Sequence, residues 1–264
     1  MDYFHAQRLA SRHSVPAEVI EKDFLIELLL FNLGQDLFFN NQVIFRGGTA
    51  LKKAYFPDYR FSEDLDFLMR PGERPEVLRS IVFKRVDFIN ADYPYGISII
   101  SESLKEGRMQ LFLGYDIIPE IRSTKNFKID VSQDDVIPSF HIKKMLLTHQ
   151  EFQAKDIELL TYDLESVASD KICRISEGDN EPRDLYDLWY LLKLDINTRI
   201  VKSELKRRFG FNYYLPNLPA EIKKEDFKKN WERRLKVQIA NLPPYEDVIK
   251  ELEDLIVKRL LRKK

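Results

Sequence analysis

The fold of this chain is decided by the stretch Val43-Ile-Phe-Arg-Gly-Gly-Thr-Ala-Leu-Lys-Lys-Ala-Tyr-Phe-Pro-Asp-Tyr-Arg-Phe-Ser-Glu-Asp-Leu-Asp-Phe-Leu-Met69. Its apolar beginning predicts a short strand, and the two glycines that follow predict a turn. A short helix that carries two lysines is expected next, followed by a second strand that carries Asp64 and Asp66. Because side chains alternate between the faces of a strand, both carboxylates point one way and the apolar residues beside them point the other way.

Asp64 and Asp66 indicate a metal site. Two carboxylates side by side repel each other unless a cation lies between them, and oxygen-only ligands suit an Mg²⁺ ion that holds a phosphate. The paired glycines, Gly47 and Gly48, let the backbone approach a polyphosphate closely, and the amides at the start of the next helix would point at it. The stretch therefore predicts a site for a metal ion and a phosphate-bearing ligand.

The composition is that of a folded globular protein. Of 264 residues, 44% are hydrophobic and 12% are aromatic, which is not typical of a disordered chain. No run of about twenty apolar residues predicts a spanning helix, and the N-terminal residues lack the pattern of a secretory signal. The single cysteine, Cys173, excludes an internal disulfide and a cysteine-based zinc site, and we expect it to be buried in a helix. These features predict a cytoplasmic protein.

Positive and negative charges nearly balance, with 42 basic and 43 acidic residues and a net charge of −1. This balance argues against indiscriminate nucleic-acid binding but not against a local basic face. Lysine and arginine are concentrated between Lys202 and Lys264. This region is a candidate for contact with nucleic acid, and the alternative is that its charges belong to solvated helix faces.

The hydrophobic pattern of the rest of the chain predicts an α+β fold. Helices are expected over most of residues 1–40, over 76–90, and from residue 163 onward, where the period becomes helical throughout. Beyond the opening stretch, strands are expected at Gly96–Ser101, Met109–Ile118 and Phe127–Val131. Residues 136–160 fit a strand followed by a turn less clearly. We therefore expect a domain at 1–160, with a mixed sheet and flanking helices, and a helical domain at 161–264.

Asp130 lies in the middle of the last predicted strand. The apolar residues of that strand face one way, so Asp130 and Lys128 face the other way. Aspartate is disfavoured in strands, and a functional role would explain its presence here. The alternative is an exposed aspartate on an open face of the sheet.

Three other polar residues have ordinary structural interpretations. On helix geometry alone, Lys171 and Asp184, on successive predicted helices, form a surface ion pair. Asp23 falls in a predicted N-terminal helix and is expected on its exposed polar face. His149 has no partner at metal-binding spacing and is expected to be structural.

Two signatures in this sequence resemble the nucleotidyltransferase toxins of the AbiEii/AbiGii family, the toxin halves of bacterial type IV toxin–antitoxin and abortive-infection systems. The first is Gly-Gly-Thr, a short helix and Arg60-x-Ser-x-Asp-Leu-Asp-Phe67. The second is Ala168-Ser-Asp-Lys171, a turn and Arg183-Asp-Leu-Tyr-Asp-Leu188. The resemblance covers roughly residues 43–193. It implies a nucleotidyltransferase-type sheet, followed by a C-terminal helical bundle, and Mg²⁺-dependent transfer of a nucleotide from an NTP to an acceptor.

The resemblance also assigns roles to individual residues. Asp64, Asp66 and Asp130 would bind two Mg²⁺ ions, or Mn²⁺ in their place, with Asp130 as ligand or base. Lys171 would neutralise phosphate charge, and Asp184 would orient either Lys171 or the base. The residues that would contact the nucleotide are Gly47, Gly48, Thr49, Lys52, Ser62, Arg183 and Asp187.

Partners are implied in the same way. The first choice of acceptor is the 3′ end of tRNA, a protein acceptor is an alternative, and a cognate antitoxin is expected. The same carboxylates would also suit a metal-dependent phosphodiesterase or nuclease. A catalytically silent nucleotide-binding regulator is a further alternative.

Overall fold

The computed structural model describes residues 1–105, 107–210 and 214–262. They form two compact units. The first comprises Met1–Asp135 and His141–Thr161, and the second comprises Val136–Phe140 and the chain from Tyr162 onward. No helix in the described ranges is long and apolar enough to cross a membrane. The division into independent domains after residue 160 stays a prediction.

The described part of the first unit contains five helices: α1 Tyr3–His13, α2 Ala17–Leu33, α3 Leu37–Gln42, α4 Gly47–Ala50, which continues as a π-helical turn at Leu51–Tyr55, and α5 Pro75–Asp92. Helices α1 and α3 begin where the carboxylates of Asp2 and Asp36 accept backbone N–H groups of the first turn, which is the usual role of an N-cap. Helix α2 is buried over most of its length, including the acidic residues Glu21, Asp23 and Glu27. It packs against α1 and α5.

Seven strands lie within the described residues: β1 Val43–Arg46, β2 Asp64–Met69, β3 Ser98–Lys105, β4 Arg108–Gly114, β5 Asn126–Gln133, β6 Phe140–Lys144 and β7 Glu158–Tyr162. They form one sheet in the order β3-β4-β5-β2-β1-β7-β6. The pairs β1/β2, β3/β4 and β4/β5 are antiparallel, whereas β2/β5 and β1/β7 are parallel. This mixed sheet with flanking helices confirms the predicted fold class.

The centre of the sheet is the pairing of β2 with β1 on one side and β5 on the other. The apolar residues of β2 are buried, and Phe67 packs against Phe39 of α3 and Phe45 of β1, with ring centroids 5.2 and 5.5 Å apart. This packing fixes which face of β2 is covered by the core. The half-buried Asp64 and Asp66 therefore lie on the opposite face.

The structure corrects three details of the sequence interpretation. Residues 136–160 contribute two strands rather than one, because β7 joins the sheet beside β1. Strand β3 runs on to Lys105, four residues beyond its predicted end, because it is paired with β4 along that length. Asp23 is only 2% exposed, so its prediction as a surface residue of the N-terminal helix was wrong.

The described part of the second unit is helical: α6 Leu164–Ser176, α7 Pro182–Lys193, α8 Thr198–Phe209, α9 Tyr214–Glu221, α10 Glu225–Leu235 and α11 Tyr245–Leu255, which continues as a π-helical turn at Ile256–Leu261. Helix α6 packs against α7, α8 and α9, and α7 also packs against α10 and α11. The helical bundle that was expected after the sheet is therefore confirmed. Lys263 and Lys264, the end of the basic region, lie outside the described residues.

Candidate active site

Three predicted site carboxylates are brought together on one face of the sheet. Asp64 and Asp66 alternate along β2 with buried apolar residues. In the parallel pairing of β2 with β5, Asp66 lies directly opposite Asp130, and Asp64 lies opposite Lys128. Directly opposed residues on paired strands share a face. The cluster therefore places three carboxylates and one lysine on the face of the sheet opposite the buried apolar residues of β2.

Gly47 is required by the position of Asp66. Its φ of +81° lies in the left-handed region, which glycine adopts with little cost. A Cβ atom built on Gly47 would lie 2.7 Å from Oδ2 of Asp66. The glycine therefore lets the turn after β1 approach the carboxylate more closely than any other residue would allow.

Thr49 and Ser62 connect this turn to the beginning of β2. Oγ1 of Thr49 lies 2.6 Å from Oγ of Ser62 and 2.5 Å from the carbonyl oxygen of Asp64. Because a carbonyl only accepts, the Thr49 hydroxyl donates to Asp64 and the Ser62 hydroxyl donates to Thr49. Both side chains are buried. Their hydroxyls thus fix the position of Asp64, and a contact of Thr49 or Ser62 with nucleotide stays a prediction.

Asp130 is buried among donors. Arg108 donates to it through Nη2 at 2.8 Å and Nε at 3.2 Å, Gln110 donates at 2.8 Å, and Nζ of Lys128 lies at 3.2 Å. Burial alone would raise the pKa of Asp130, but the hydrogen bonds from Arg108 and Gln110 and the charge of Lys128 lower it to about 2. A carboxylate with so low a pKa is a weak base at neutral pH. This arrangement favours a role for Asp130 as a metal ligand over a role as a general base.

Lys52 is engaged elsewhere. Its ammonium group donates to the carbonyl oxygens of Pro57 and Tyr59 at 3.0 and 3.1 Å and lies 4.1 Å from the centroid of the Phe61 ring. The side chain is buried, and burial lowers its pKa to about 8. These contacts stabilise the loop before β2. The predicted contact of Lys52 with a nucleotide gains no support from this geometry.

The second unit holds the other predicted catalytic group. Nζ of Lys171, on α6, lies 2.5 Å from Oδ1 of Asp184 and 2.8 Å from Oδ2 of Asp187, both on α7. Arg174 donates to the second oxygen of Asp184 at 2.7 Å. Burial would raise the pKa of Asp184, and the charges of Lys171 and Arg174 hold it below its usual range. The ion pair is buried. The prediction from helix geometry alone, a surface ion pair, was therefore wrong.

Arg183 lies near the start of α7, 3.8 Å from Glu181 through Nε. Its proposed support of a nucleotide stays a prediction, as do the roles of Lys171, Asp184 and Asp187.

The sequence interpretation did not find a buried charged cluster in the first unit. Lys53 is fully buried, and its Nζ lies 2.8 Å from Asp23 and 2.6 Å from Glu27. Glu27 also accepts backbone N–H groups from Thr148 and His149. The available signal was in α2, where Asp23 and Glu27, four residues apart and so on adjacent turns of one helix, fall among apolar residues.

This buried cluster has ligand atoms that could hold a metal ion, because one atom each from Asp23, Glu27 and His149 lies within 4.8 Å of the others. The ammonium group of Lys53 already supplies a positive charge between the two carboxylates. A divalent cation there would face that charge at close range. The carboxylates of Asp64 and Asp66 on β2 offer oxygen ligands only, which suit a hard cation such as Mg²⁺.

Arg108 and Gln110 were also missed. They occupy alternate positions on β4, and Gln110 lies opposite Asp130 in the antiparallel pairing of β4 with β5. Polar residues at a spacing of two on an otherwise apolar strand were the available sequence signal. Assigning them to the site required the register of the neighbouring strands.

The sequence is similar to those of a known protein family. A family model described as the nucleotidyl transferase AbiEii toxin of type IV toxin–antitoxin systems matches residues 28–255. The chain belongs to the AbiEii family. The match confirms the resemblance and makes this AbiEii protein a nucleotidyltransferase toxin of a type IV system, with a nucleotide substrate and an antitoxin partner implied by the family.

The fold of this AbiEii protein is also found among solved structures. It is similar to MenT4, the nucleotidyltransferase toxin Rv2826c from Mycobacterium tuberculosis H37Rv, with a TM-score of 0.66 and 17% sequence identity. The match covers 95% of this chain and 89% of the MenT4 chain. At this identity the likeness shows the fold alone. No curated protein matches the sequence.

Proposed function

We propose that this AbiEii protein transfers a nucleoside monophosphate from an NTP to the 3′ end of tRNA in the cytoplasm, in a reaction that depends on Mg²⁺. The observation that supports it best is the placement of Asp64, Asp66 and Asp130 on one face of the sheet, with Asp66 beside the glycine turn. In the proposed reaction, the 3′ oxygen of the acceptor forms a bond to the α-phosphorus. The bond from that phosphorus to the β-phosphate bridging oxygen breaks, pyrophosphate leaves, and the acceptor proton passes to solvent.

The three carboxylates fit a divalent metal ion. They offer only oxygen donors, which Mg²⁺ and Mn²⁺ prefer, and a side chain at position 47 would crowd the carboxylate of Asp66. When bound, Mg²⁺ would neutralise charge on the triphosphate. The chain itself holds the carboxylates in place, because Thr49 fixes the backbone of Asp64, and Arg108 and Gln110 fix the side chain of Asp130.

The phosphate groups would be held by the chain's own donors. In the first unit these would be the backbone amides of Gly47, Gly48 and Thr49, at the start of α4. Lys171 lies in the second unit, where Asp184 and Asp187 hold its ammonium group, and the family resemblance gives it the role of neutralising phosphate charge. The assignment of Lys171 to the reaction follows from its match to the second family signature.

The test is to incubate the purified protein with Mg²⁺, total tRNA and each α-³²P-labelled NTP in turn, and to resolve the products on a denaturing gel. Label on tRNA is expected with at least one NTP, and it should disappear in Asp64→Asn and on addition of EDTA. Asp87→Asn is the matched control, because Asp87 is exposed on α5, outside the carboxylate cluster, and it should retain full activity.

Other outcomes would favour the alternatives. Shortened RNA instead of extended RNA would indicate a nuclease. NTP binding with no label on tRNA and no pyrophosphate release would indicate a silent nucleotide-binding regulator. Label on a protein in a cell extract, with none on tRNA, would replace the proposed acceptor. Wild-type labelling by Asp64→Asn would contradict the assignment of the metal site.

A further inference from the structure

A basic cavity lies in the second unit, apart from the Lys171 cluster. Its volume is about 990 Å³. Its charged lining residues are five cations and one acid, namely Arg199, Lys202, Lys258, Arg259, Arg262 and Asp195. The cations come from the first two turns of α8 and from the end of the described chain, so two separate segments converge on one space.

Arg259 builds the wall of this cavity. Its guanidinium group donates to the carbonyl oxygens of Leu192 and Leu194, and to that of Ile196 at 2.8 Å. The backbone amide of Asn197 donates to the carboxylate of Glu165 at 2.8 Å. The loop between α7 and α8 is therefore held by specific contacts, and the cavity has a fixed backbone wall.

The other four cations of the cavity do not bind the backbone as Arg259 does. Within the described chain, the side chains of Arg199, Lys202, Lys258 and Arg262 make no hydrogen bond or ion pair, and all but the half-buried Lys202 are exposed. Elsewhere in the same unit lysines are paired, as in the contact of Lys223 with Glu253 at 2.6 Å. Four unpaired positive charges around one cavity repel each other unless an anion lies among them.

We propose that this cavity binds the phosphate backbone of the RNA acceptor. The inference rests on the proposed function, since it assumes that the acceptor is an RNA. A chain with a net charge of −1 has no general attraction for a polyanion, so a local set of cations has to supply it. The cavity does so with a net charge of +4 from its five cations and one acid.

The lining favours RNA over an acidic segment of a protein partner. Ile196 is the only apolar residue among those that line the cavity. Protein interfaces derive most of their affinity from buried aromatic or aliphatic anchors, which this cavity does not offer in the described residues. Phosphate contacts need cations, and the cavity supplies them.

The salt dependence of tRNA binding tests this proposal. Anisotropy of fluorescently labelled total tRNA is measured with the full-length protein, without NTP, over a series of KCl concentrations. Lys258→Ala/Arg262→Ala should lose two phosphate contacts. The plot of the logarithm of the association constant against the logarithm of the salt concentration should then be less steep by about 1.4 to 1.8. At 0.1 M salt this corresponds to roughly 25- to 60-fold weaker binding, worked from the same slope.

The matched control removes the same charge from another part of the unit. Lys229 and Lys250 are exposed on α10 and α11, have no partner in the described chain and do not line the cavity. Lys229→Ala/Lys250→Ala should keep the wild-type slope. Arg199→Ala/Lys202→Ala is the second cavity variant, and it should repeat the loss of slope if the first variant is impaired in folding.

Several results would overturn the proposal. These are an unchanged slope in both cavity variants, an equal loss in the control, or a selective loss of binding to free ATP and GTP, which would make the cavity a nucleotide site. Selective loss of antitoxin binding with intact tRNA binding would make it a protein interface. Binding is measured without NTP, so it is independent of nucleotide transfer. If tRNA binds through the cavity but the protein adds no nucleotide to it, the proposed function is refuted and this inference stands.

Discussion

Replacement of Lys171 by Met should destabilise the second unit strongly, independently of any loss of catalysis. The ammonium group lies 2.5 Å from Asp184 and 2.8 Å from Asp187. The side chains of the three residues are 8%, 4% and 0% exposed. Asp184 would keep Arg174 as a partner at 2.7 Å. Asp187 would lose its ammonium partner in a site with almost no access to water.

The expected magnitude follows from the cost of breaking a buried ion pair, about 3–5 kcal/mol. The free energy of unfolding of a protein domain is about 5–15 kcal/mol. Lys171→Met should therefore remove a large share of that free energy. With urea slopes of about 1–3 kcal/mol/M, the unfolding midpoint should fall by at least about 1 M. Lys223→Met, which removes the exposed pair with Glu253, should change stability by less than about 1 kcal/mol.

The assay is urea unfolding followed by tryptophan fluorescence. The chain has 2 tryptophans, Trp189 and Trp231, and both lie in helices of the second unit. The fluorescence change therefore reports on that unit. Lys171→Met/Asp187→Asn should recover most of the lost stability, because Asp184 keeps Arg174 as a cationic partner and the amide that replaces Asp187 carries no charge that needs one.

The double variant also separates folding from chemistry. If Lys171 acts on the substrate, Lys171→Met/Asp187→Asn should be folded but inactive, whereas Asp187→Asn alone should retain part of the activity. An unchanged urea midpoint in Lys171→Met would refute the stability reasoning. A double variant that is folded and as active as Asp187→Asn would show that Lys171 is only structural.

Three further predictions concern other parts of the molecule. Gly47→Ala should abolish nucleotide transfer and lower the urea midpoint, followed by circular dichroism, more than Gly72→Ala does. Both glycines have positive φ, but only a side chain at position 47 would meet a neighbouring carboxylate. Equal losses would contradict this. The pKa of Asp130 is lowered from its ordinary value near 4 to about 2, so its ionised form stabilises the fold above about pH 4 and this gain is lost as pH falls towards 2. The difference in unfolding free energy between wild type and Arg108→Ala should therefore shrink between about pH 4 and pH 2. A difference that is constant with pH would refute the pairing of Arg108 with Asp130. Burial raises the pKa of the Cys173 thiol, so a thiol reagent should modify it in urea but not in the native protein, and rapid native labelling would show that the site opens.

Much of the local structure follows from the sequence. The alternation of polar and apolar residues along β2 places Asp64 and Asp66 on one face because the side-chain period of a strand is two. The glycine at position 47 predicts the turn, and the structure adds the reason that a side chain there would meet Asp66. The helices of the second unit follow from the 3.6-residue period and from proline and glycine breaks.

Partners across the fold did not follow from sequence. Arg108 and Gln110 meet Asp130 from 22 and 20 residues away, and that contact depends on the register of β4 against β5. The short strand β7 pairs with β1, which is more than a hundred residues distant in the chain. Patterns of a few residues identify a strand but carry no information about its neighbour.

The sequence by itself determined the family, the two glycines of the turn and the carboxylates that share a face of β2, because these depend on neighbours within a few residues. Only the tertiary structure decided that Asp130 is held by Arg108 and that Asp23 is buried against Lys53. Only the tertiary structure brought distant cations together around one cavity. The physical reason is that burial and charge pairing are set by which strands and helices pack together, and a local pattern does not specify that packing.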